Sequence, residues 1–395
     1  MKNALHGVKI LDLSRVFAGP HGSMILADFG AEVIRIEHPK RMDDMRYWSP
    51  FVGKESTYFL CANRNKQSIT LDLKSKKGKE ILAKLIEEAD VVIENFKVGT
   101  FERLGFGYKR LKEIKEDIIL CSVTGYGQTG PYSENPGYDP VIQAIGGLMA
   151  VTGEPGGEGT RVGVPVVDIM TSLYVAISVM SALRMKELNG VGQHVDISLL
   201  DVQVSSLANV ASSYLMTGNI SKAAGNRHEN ITPYETFPCA DKQVMIAAGN
   251  DQLYNQLCQA IQRPELASDP RFVTNAKRVE HREELRAILE KVFVEKAAAE
   301  WEQLMIQYEV PCGPVNTVDQ VFEHPQVKHR NMIQEKEHPT LGKVRMVRNP
   351  IRFSGIDLNV ETYPPLHGEH TEKILKERLG LADEELRQLR DEGVI

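Results

Sequence analysis

The sequence predicts an α/β protein: a large domain built on a mainly parallel sheet, with a smaller α+β domain attached. Three observations carry this. Short apolar runs alternate with helically spaced ones from residue 8 onward, a polar stretch at 218–230 breaks that rhythm, and short strand patterns return beyond Gly342.

In chain order, Val8 to Leu13 reads as a strand, Ala18-Gly19-Pro20-His21-Gly22 as a turn, Ser23 to Phe29 as a helix and Glu32 to Ile36 as a second strand. The alternation repeats: Ser68 to Leu73 strand, Lys77 to Ala89 amphipathic helix, Asp90 to Ile93 strand, Val98 to Ile114 mostly helical, Asp117 to Val123 strand. Such repetition favours parallel strands covered by helices. A Gly/Pro-rich loop at 154–159 precedes a long apolar helix from near Asp168 to Asn189, which Gly190 terminates. Gln193 to Ile197 then reads as strand and Leu199 to Met216 as helix. After the linker, strands at 234–237 and 244–247 flank a turn at Asp241-Lys242, and 251–308 is strongly helical. Strands at 343–347 and 351–353 and helices at 371–378 and 383–390 close the chain.

Composition excludes several classes. With 395 residues, 42% hydrophobic, and 47 Lys+Arg against 53 Asp+Glu, the chain is an ordinary globular one of net charge −6. It has no global positive field for nucleic acid or an anionic membrane, so neither is an expected partner, and any anionic ligand must be met by a local basic cluster. Five scattered cysteines without C-x-x-C spacing read as reduced thiols in a cytoplasmic protein. The start lacks the apolar core of a secretory signal. The run Ile169 to Leu183, interrupted by Thr and Ser, is shorter than the ~20 residues of a bilayer span and reads as a buried helix.

Gly19-Pro20-His21-Gly22 offers either a tight structural turn or a helix end for a phosphate, without the spacing of a dinucleotide or P-loop motif. Asn95-Phe96-Lys97 follows an apolar strand, at the edge where open α/β sheets bind ligands, and Arg103 lies one to two turns onward; the pair Lys97 and Arg103 reads either as phosphate ligands or as solvated charges. Asp168 stands at the mouth of the long helix. It reads as an N-cap, and the same helix-end field would keep its carboxylate ionised for nucleophilic use. The histidines match no metal motif, so no metal is expected, and no G-x-S-x-G elbow is present.

Taken as an ordered set, several stretches resemble the class III CoA-transferases, the family that includes formyl-CoA transferase, carnitine CoA-transferase and the α-methylacyl-CoA racemases. They are Gly7 to Ser14, Ala18-Gly19-Pro20, Leu26 to Glu37, Asn63 to Asp72, Glu94-Asn95-Phe96, Gly125-Tyr126-Gly127, Val310 to Val315 and Leu366 to Thr371. The resemblance implies a homodimer of two interlocked rings. Each chain would have a Rossmann-like, CoA-binding large domain with linkers from 1–217 and 331–395, and a small domain from 225–325. It places the nucleophile on Asp168 and CoA contacts on Val16, His38, Leu71, Asn95, Phe96, Lys97, Arg103 and Tyr138. The substrate pocket falls on Phe17, Arg46, Trp48 and Gly249, with Arg46 placed to pair with a substrate carboxylate. Coenzyme A enters as a substrate, with no permanently bound cofactor.

Departures narrow the expectation. Phe17 replaces the glutamine of formyl-CoA transferase, and Ala247-Ala248-Gly249-Asn250 stands where that enzyme has a glycine-rich flap. The expected activity is therefore transfer of CoA from succinyl-CoA or another dicarboxylyl-CoA to a small carboxylic acid through a covalent aspartyl intermediate. The alternatives are racemase-type proton transfer, which the run Gly137-Tyr138-Asp139 disfavours because it lacks the racemase histidine, and a CoA-binding homologue without turnover.

Overall fold

A computed structural model describes residues 2–395. Apolar runs rich in Val, Ile and Leu are buried on both faces, which is what a parallel sheet with helices on either side requires. The central sheet has six strands, β1 (Lys9–Asp12), β2 (Glu32–Glu37), β3 (Lys66–Thr70), β4 (Val91–Glu94), β5 (Ile119–Thr124) and β6 (His194–Ser198), in spatial order β3-β2-β1-β4-β5-β6; the outermost, β3 and β6, are more polar, and β6 buries only its last two residues. All five pairings are parallel. Winding reverses between β1 and β4, and in such sheets the crevice beyond the carboxyl ends at the reversal is where ligands bind.

Alternate strand residues supply two cores. Ile10, Val33, Ile93 and Cys121 pack under α1 (Ala18–Asp28) and the 24-residue α4 (Val166–Asn189). Leu11, Ile34, Val92 and Leu120 pack under α2 (Lys76–Glu88) and the C-terminal helices α9 (Thr371–Leu379) and α10 (Asp383–Asp391). Near the carboxyl ends of the strands lie two further helices, α3 (Asp139–Ile145) and α5 (Leu199–Ser206). These elements belong to one compact unit formed by residues up to Leu148, Arg161–Asn219 and Lys328–Ile395.

The second unit comprises Met149–Thr160 and Ile220–Val327. Its antiparallel strands β7 (Tyr234–Pro238), β8 (Gln243–Ala247) and β9 (Cys312–Pro314) pack with α6 (Asp251–Ala260), α7 (Arg282–Phe293) and α8 (Ala298–Gln307) around Phe237, Leu289, Phe293 and Trp301. The Gly/Pro-rich loop at 154–159 thus groups with the second unit, whereas the sequence reading assigned it to the large domain.

Several expectations need correction. Gly19-Pro20-His21-Gly22 is not a turn; it lies in the first turns of α1, which begins at Ala18. Proline is tolerated there because its missing N–H is one a helix start leaves unpaired. A Cβ on Gly22 would sit 2.7 Å from Val175 Cγ1, so glycine lets α1 close on α4. The stretch 98–114 is two short helices, and the run after α5 breaks at Leu207 before a separate helix, Ala208–Thr217. No strand forms at 351–353; the partner of β11 (Gly342–Val347) is instead β10 (Ile333–His338), a charged, largely solvated ribbon that apolar patterning does not mark. Finally, α4 is long and apolar enough to cross a membrane by length and composition, against the shorter span read from the sequence.

Candidate active site

The site is built from the loops that leave the carboxyl ends of β1, β4 and β5. At the end of β1 the buried Asp12 accepts from Ser14 N at 3.0 Å, Ser23 Oγ at 2.5 Å and Lys66 Nζ at 3.1 Å. Beyond it Val16 adopts φ +64°, a left-handed conformation that is costly for a β-branched residue. Two side chains hold it there. The Asp43 carboxylate accepts the Val16 amide at 3.0 Å, while Asn95 grips the Arg15 main chain from both sides, accepting its N–H at 2.8 Å and donating to its carbonyl at 2.7 Å. Asp43 is itself buried, bonded to the Arg35 guanidinium and accepting Met45 N at 2.8 Å.

Asp168 faces this loop from α4. It is the third residue of the helix rather than its cap. The capping role belongs to Asp139 at the start of α3, whose Oδ2 accepts Val167 N at 2.8 Å and Asp168 N at 3.3 Å, and whose Oδ1 accepts Gln143 Nε2 at 2.6 Å. The expectation that the helix end keeps the Asp168 carboxylate readily ionised is therefore reversed. Burial and the negative charge of Asp139 push its pKa up to about 7.

Asp168 lines a cavity of about 520 Å³ with Val16, Phe17, Asn95, Phe96, Lys97 and Tyr138. Gly125 and Gly137, whose backbones touch so closely that a Cβ on either would lie 2.5–2.6 Å from the other's Cα, form part of its wall. A second cavity, of about 260 Å³, is lined by His38, Arg41, Leu71, Lys74 and Asp43; Arg15 and Phe96 line both. Burial, aided by Arg41, Lys74 and Lys40 and opposed by Asp72, pushes the His38 imidazole below its ordinary pKa; the basic side chains Arg15, Arg41 and Lys74 line that cavity together with the carboxylates Glu37, Asp43 and Asp72.

Other expected residues lie elsewhere. Arg46 is buried and does not face either cavity: its guanidinium forks onto Glu37 at 3.0 and 2.8 Å and lies 3.4 Å from the centre of the Phe59 ring. Although burial pushes the Glu37 carboxyl up, Arg35 and Arg46 hold it well below the usual carboxylate range, so Arg46 is committed to this pair rather than to a substrate. Trp48 lines neither cavity and packs edge-on against Tyr58. Arg103 is exposed, donates to Thr100 Oγ1 at 2.8 Å and also lines neither. Lys97, which does line the Asp168 cavity, is exposed and pairs loosely with Glu134 at 3.8 Å. Gly249 follows β8 in the second unit, before the α6 cap Asn250.

Sequence reasoning missed Asp43, Arg15 and the capping role of Asp139. Asp139-Pro140 marks the start of α3, an acidic first turn with proline in it, but says nothing of the reach of Asp139 to Val167 and Asp168, 28 and 29 positions away. Nothing local to Asp43 announced its contact with Val16, which is 27 positions away.

This geometry can be set beside known proteins. A model of CoA-transferase family III matches residues 5–371. The human protein named succinyl-CoA:glutarate CoA-transferase is 42% identical over 392 residues, covering 99% of this chain and 90% of that one. The Agrobacterium fabrum protein named succinate–glutarate CoA-transferase is 38% identical, covering 95% and 96%. A crystal structure of a CAIB/BAIF family protein from Brucella suis superposes with TM-score 0.87 at 41% identity, over 96% of this chain and all of that one. A carboxylate at the head of a cavity, at the carboxyl edge of a parallel sheet, thus sits in a chain that belongs to CoA-transferase family III and is an acyl-CoA:carboxylate CoA-transferase.

Proposed function

We propose that this enzyme moves CoA from succinyl-CoA to a small dicarboxylic acid of glutarate type, with Asp168 as the covalent carrier. The observation that carries the reading is the position of Asp168 in one cavity with Val16, Asn95, Phe96, Lys97 and Tyr138, all positions at which the resemblance expects CoA. The adjoining cavity, with Arg41 and Lys74, offers charges for the phosphate end of CoA, and Phe96 and Arg15 link the two. The printed names of the human and Agrobacterium relatives supply the substrate pair. With Arg46 committed to Glu37, the cations left to attract a dianionic acid into the Asp168 cavity are Arg15 and Lys97.

Four balanced steps follow. Asp168 attacks the donor thioester carbon, the C–S bond breaks, and an aspartyl–acyl anhydride and CoA thiolate result. The thiolate attacks the aspartyl carbon and releases the donor acid as its carboxylate, leaving an aspartyl-CoA thioester. The acceptor carboxylate displaces the thiolate to give a second anhydride. Attack of the thiolate on its acyl carbon forms the new acyl-CoA and frees Asp168. No net proton is consumed, and the activation of the thioester is preserved at each stage.

The same reading assigns a Rossmann-like fold to the large unit, whose 3-2-1-4-5-6 strand order supports it, a homodimer of interlocked chains, and a cytoplasmic location consistent with five free thiols. Incubation with succinyl-CoA followed by hydroxylamine should convert Asp168 to its hydroxamate, seen by peptide mass spectrometry. An unmodified Asp168 in enzyme that is turning over would refute the covalent route.

A further inference from the structure

The reaction leaves the run Gly19-Pro20-His21-Gly22 without a chemical part, yet the fold carries His21 into the seam between α1 and α4. Its Nδ1 lies 2.7 Å from Ser172 Oγ. Ser172 has one hydroxyl proton, and it is donated to the Ile169 carbonyl at 2.6 Å. The proton shared with His21 therefore comes from the imidazole, which fixes the ring as the Nδ1–H tautomer. Burial, with Arg64 and Lys66 nearby, pushes its pKa down to about 4, so the ring is neutral at physiological pH. One turn earlier, Phe17 stacks on it with ring centroids 5.1 Å apart and planes 17° from parallel.

The two ends of this linkage are telling. Phe17 lines the Asp168 cavity, and Ser172 stands one helical turn beyond Asp168 on the same helix. His21 thus ties an apolar wall of the cavity to the turn that carries the reacting carboxylate. We propose that His21 is a positioning residue that holds the Phe17 ring at a set place relative to Asp168, and so determines which acceptor acids the cavity admits. This inference rests on the reading of Asp168 as the acyl carrier.

Removing either half of the linkage frees the Phe17 ring and lets that wall retreat. A pocket wall worth one or two methylene groups discriminates by roughly 10–200-fold, so partial loss should cost about tenfold in selectivity. Two substitutions separate the halves: H21N keeps a side-chain N–H donor without the ring, and H21F keeps the stack without the donor. S172A removes the acceptor while leaving His21 in place. In each, kcat/KM for glutarate relative to acetate should fall about tenfold through a raised glutarate KM, while hydroxylamine trapping of Asp168 from succinyl-CoA persists. If S172A and whichever His21 variants fold keep the wild-type ratio within twofold, His21 has no such role. Failure of trapping in the unaltered enzyme would instead remove the Asp168 reading beneath it.

Discussion

A carboxylate that attacks a thioester must be ionised, and Asp168, the carrier proposed above, sits where ionisation is opposed. Burial and Asp139 push it up to about 7, so below that pH the proton-bound form accumulates and the nucleophile is lost. The expected profile of kcat/KM falls about tenfold per pH unit below about 7 and levels off above it, whereas an unshifted aspartate would give a flat profile from pH 5 to 8. D139N removes one of the two causes and should move that limb to lower pH, at a cost of about 1 kcal/mol in helix capping. The stability linkage has the opposite sense. A carboxyl whose pKa is raised by folding favours the folded state fully below its unfolded value of 3.8 and loses that contribution as pH rises through about 7. D168N should therefore raise the melting temperature at pH 8 and leave it nearly unchanged at pH 4, while lowering kcat on the order of 10³-fold or more. The place of Asp168 at the mouth of a long apolar helix was legible in the sequence. Its protonation was not, because the group that controls it, Asp139, lies 29 positions away. Arg46 teaches the same lesson: a cation in a loop looks available until Glu37, at the end of β2, is seen to accept from both its Nε and its Nη2.

At the scale of elements, the site depends on how closely α1 approaches α4. Gly22 permits that approach, since a Cβ there would lie 2.7 Å from Val175 Cγ1 and 3.1 Å from the Ser172 carbonyl. G22A should force the helices apart, destabilising the protein by about 1–3 kcal/mol, and displace Ser172 and the Asp168 turn together. Thermal unfolding alongside kcat for the complete reaction checks this: a wild-type melting temperature would show that the seam has slack. The helices and strands of the sheet were legible because long runs such as 76–88 and 91–94 keep one periodicity and bury it. The start of α1 was not, because glycine and proline ordinarily punctuate chains, and only tertiary neighbours explain the two glycines: Ser14 of the loop after β1 crowds Gly19, and Val175 of the partner helix crowds Gly22. β10 escaped for the converse reason. Ile-Gln-Glu-Lys-Glu-His buries little, and its strand character comes from pairing with β11.

Over the whole molecule, two helices present large apolar side chains to solvent. On α4, Leu173, Tyr174, Ile177, Met185 and Leu188 are exposed, and on the helix Ala208–Thr217 Leu215 and Met216 are 78% and 82% exposed. Exposed apolar helix faces mark interaction surfaces, and the interlocked homodimer implied by the resemblance offers a second copy to cover them. Light scattering should then give twice the 44.2 kDa chain mass. Mass alone does not distinguish linked chains from a side-by-side pair, but exchange does. Subunits that merely touch re-equilibrate on dilution and mixing, whereas two closed rings threaded through each other separate only if a chain opens. Tagged and untagged dimers mixed under native conditions should therefore yield no mixed species over days, and should yield about half mixed species after joint unfolding and refolding. Rapid native exchange would leave a dimer but not a linked one; a monomer, or recovery of the chain with membranes through the 24-residue α4, would mean that something other than a second copy covers this face.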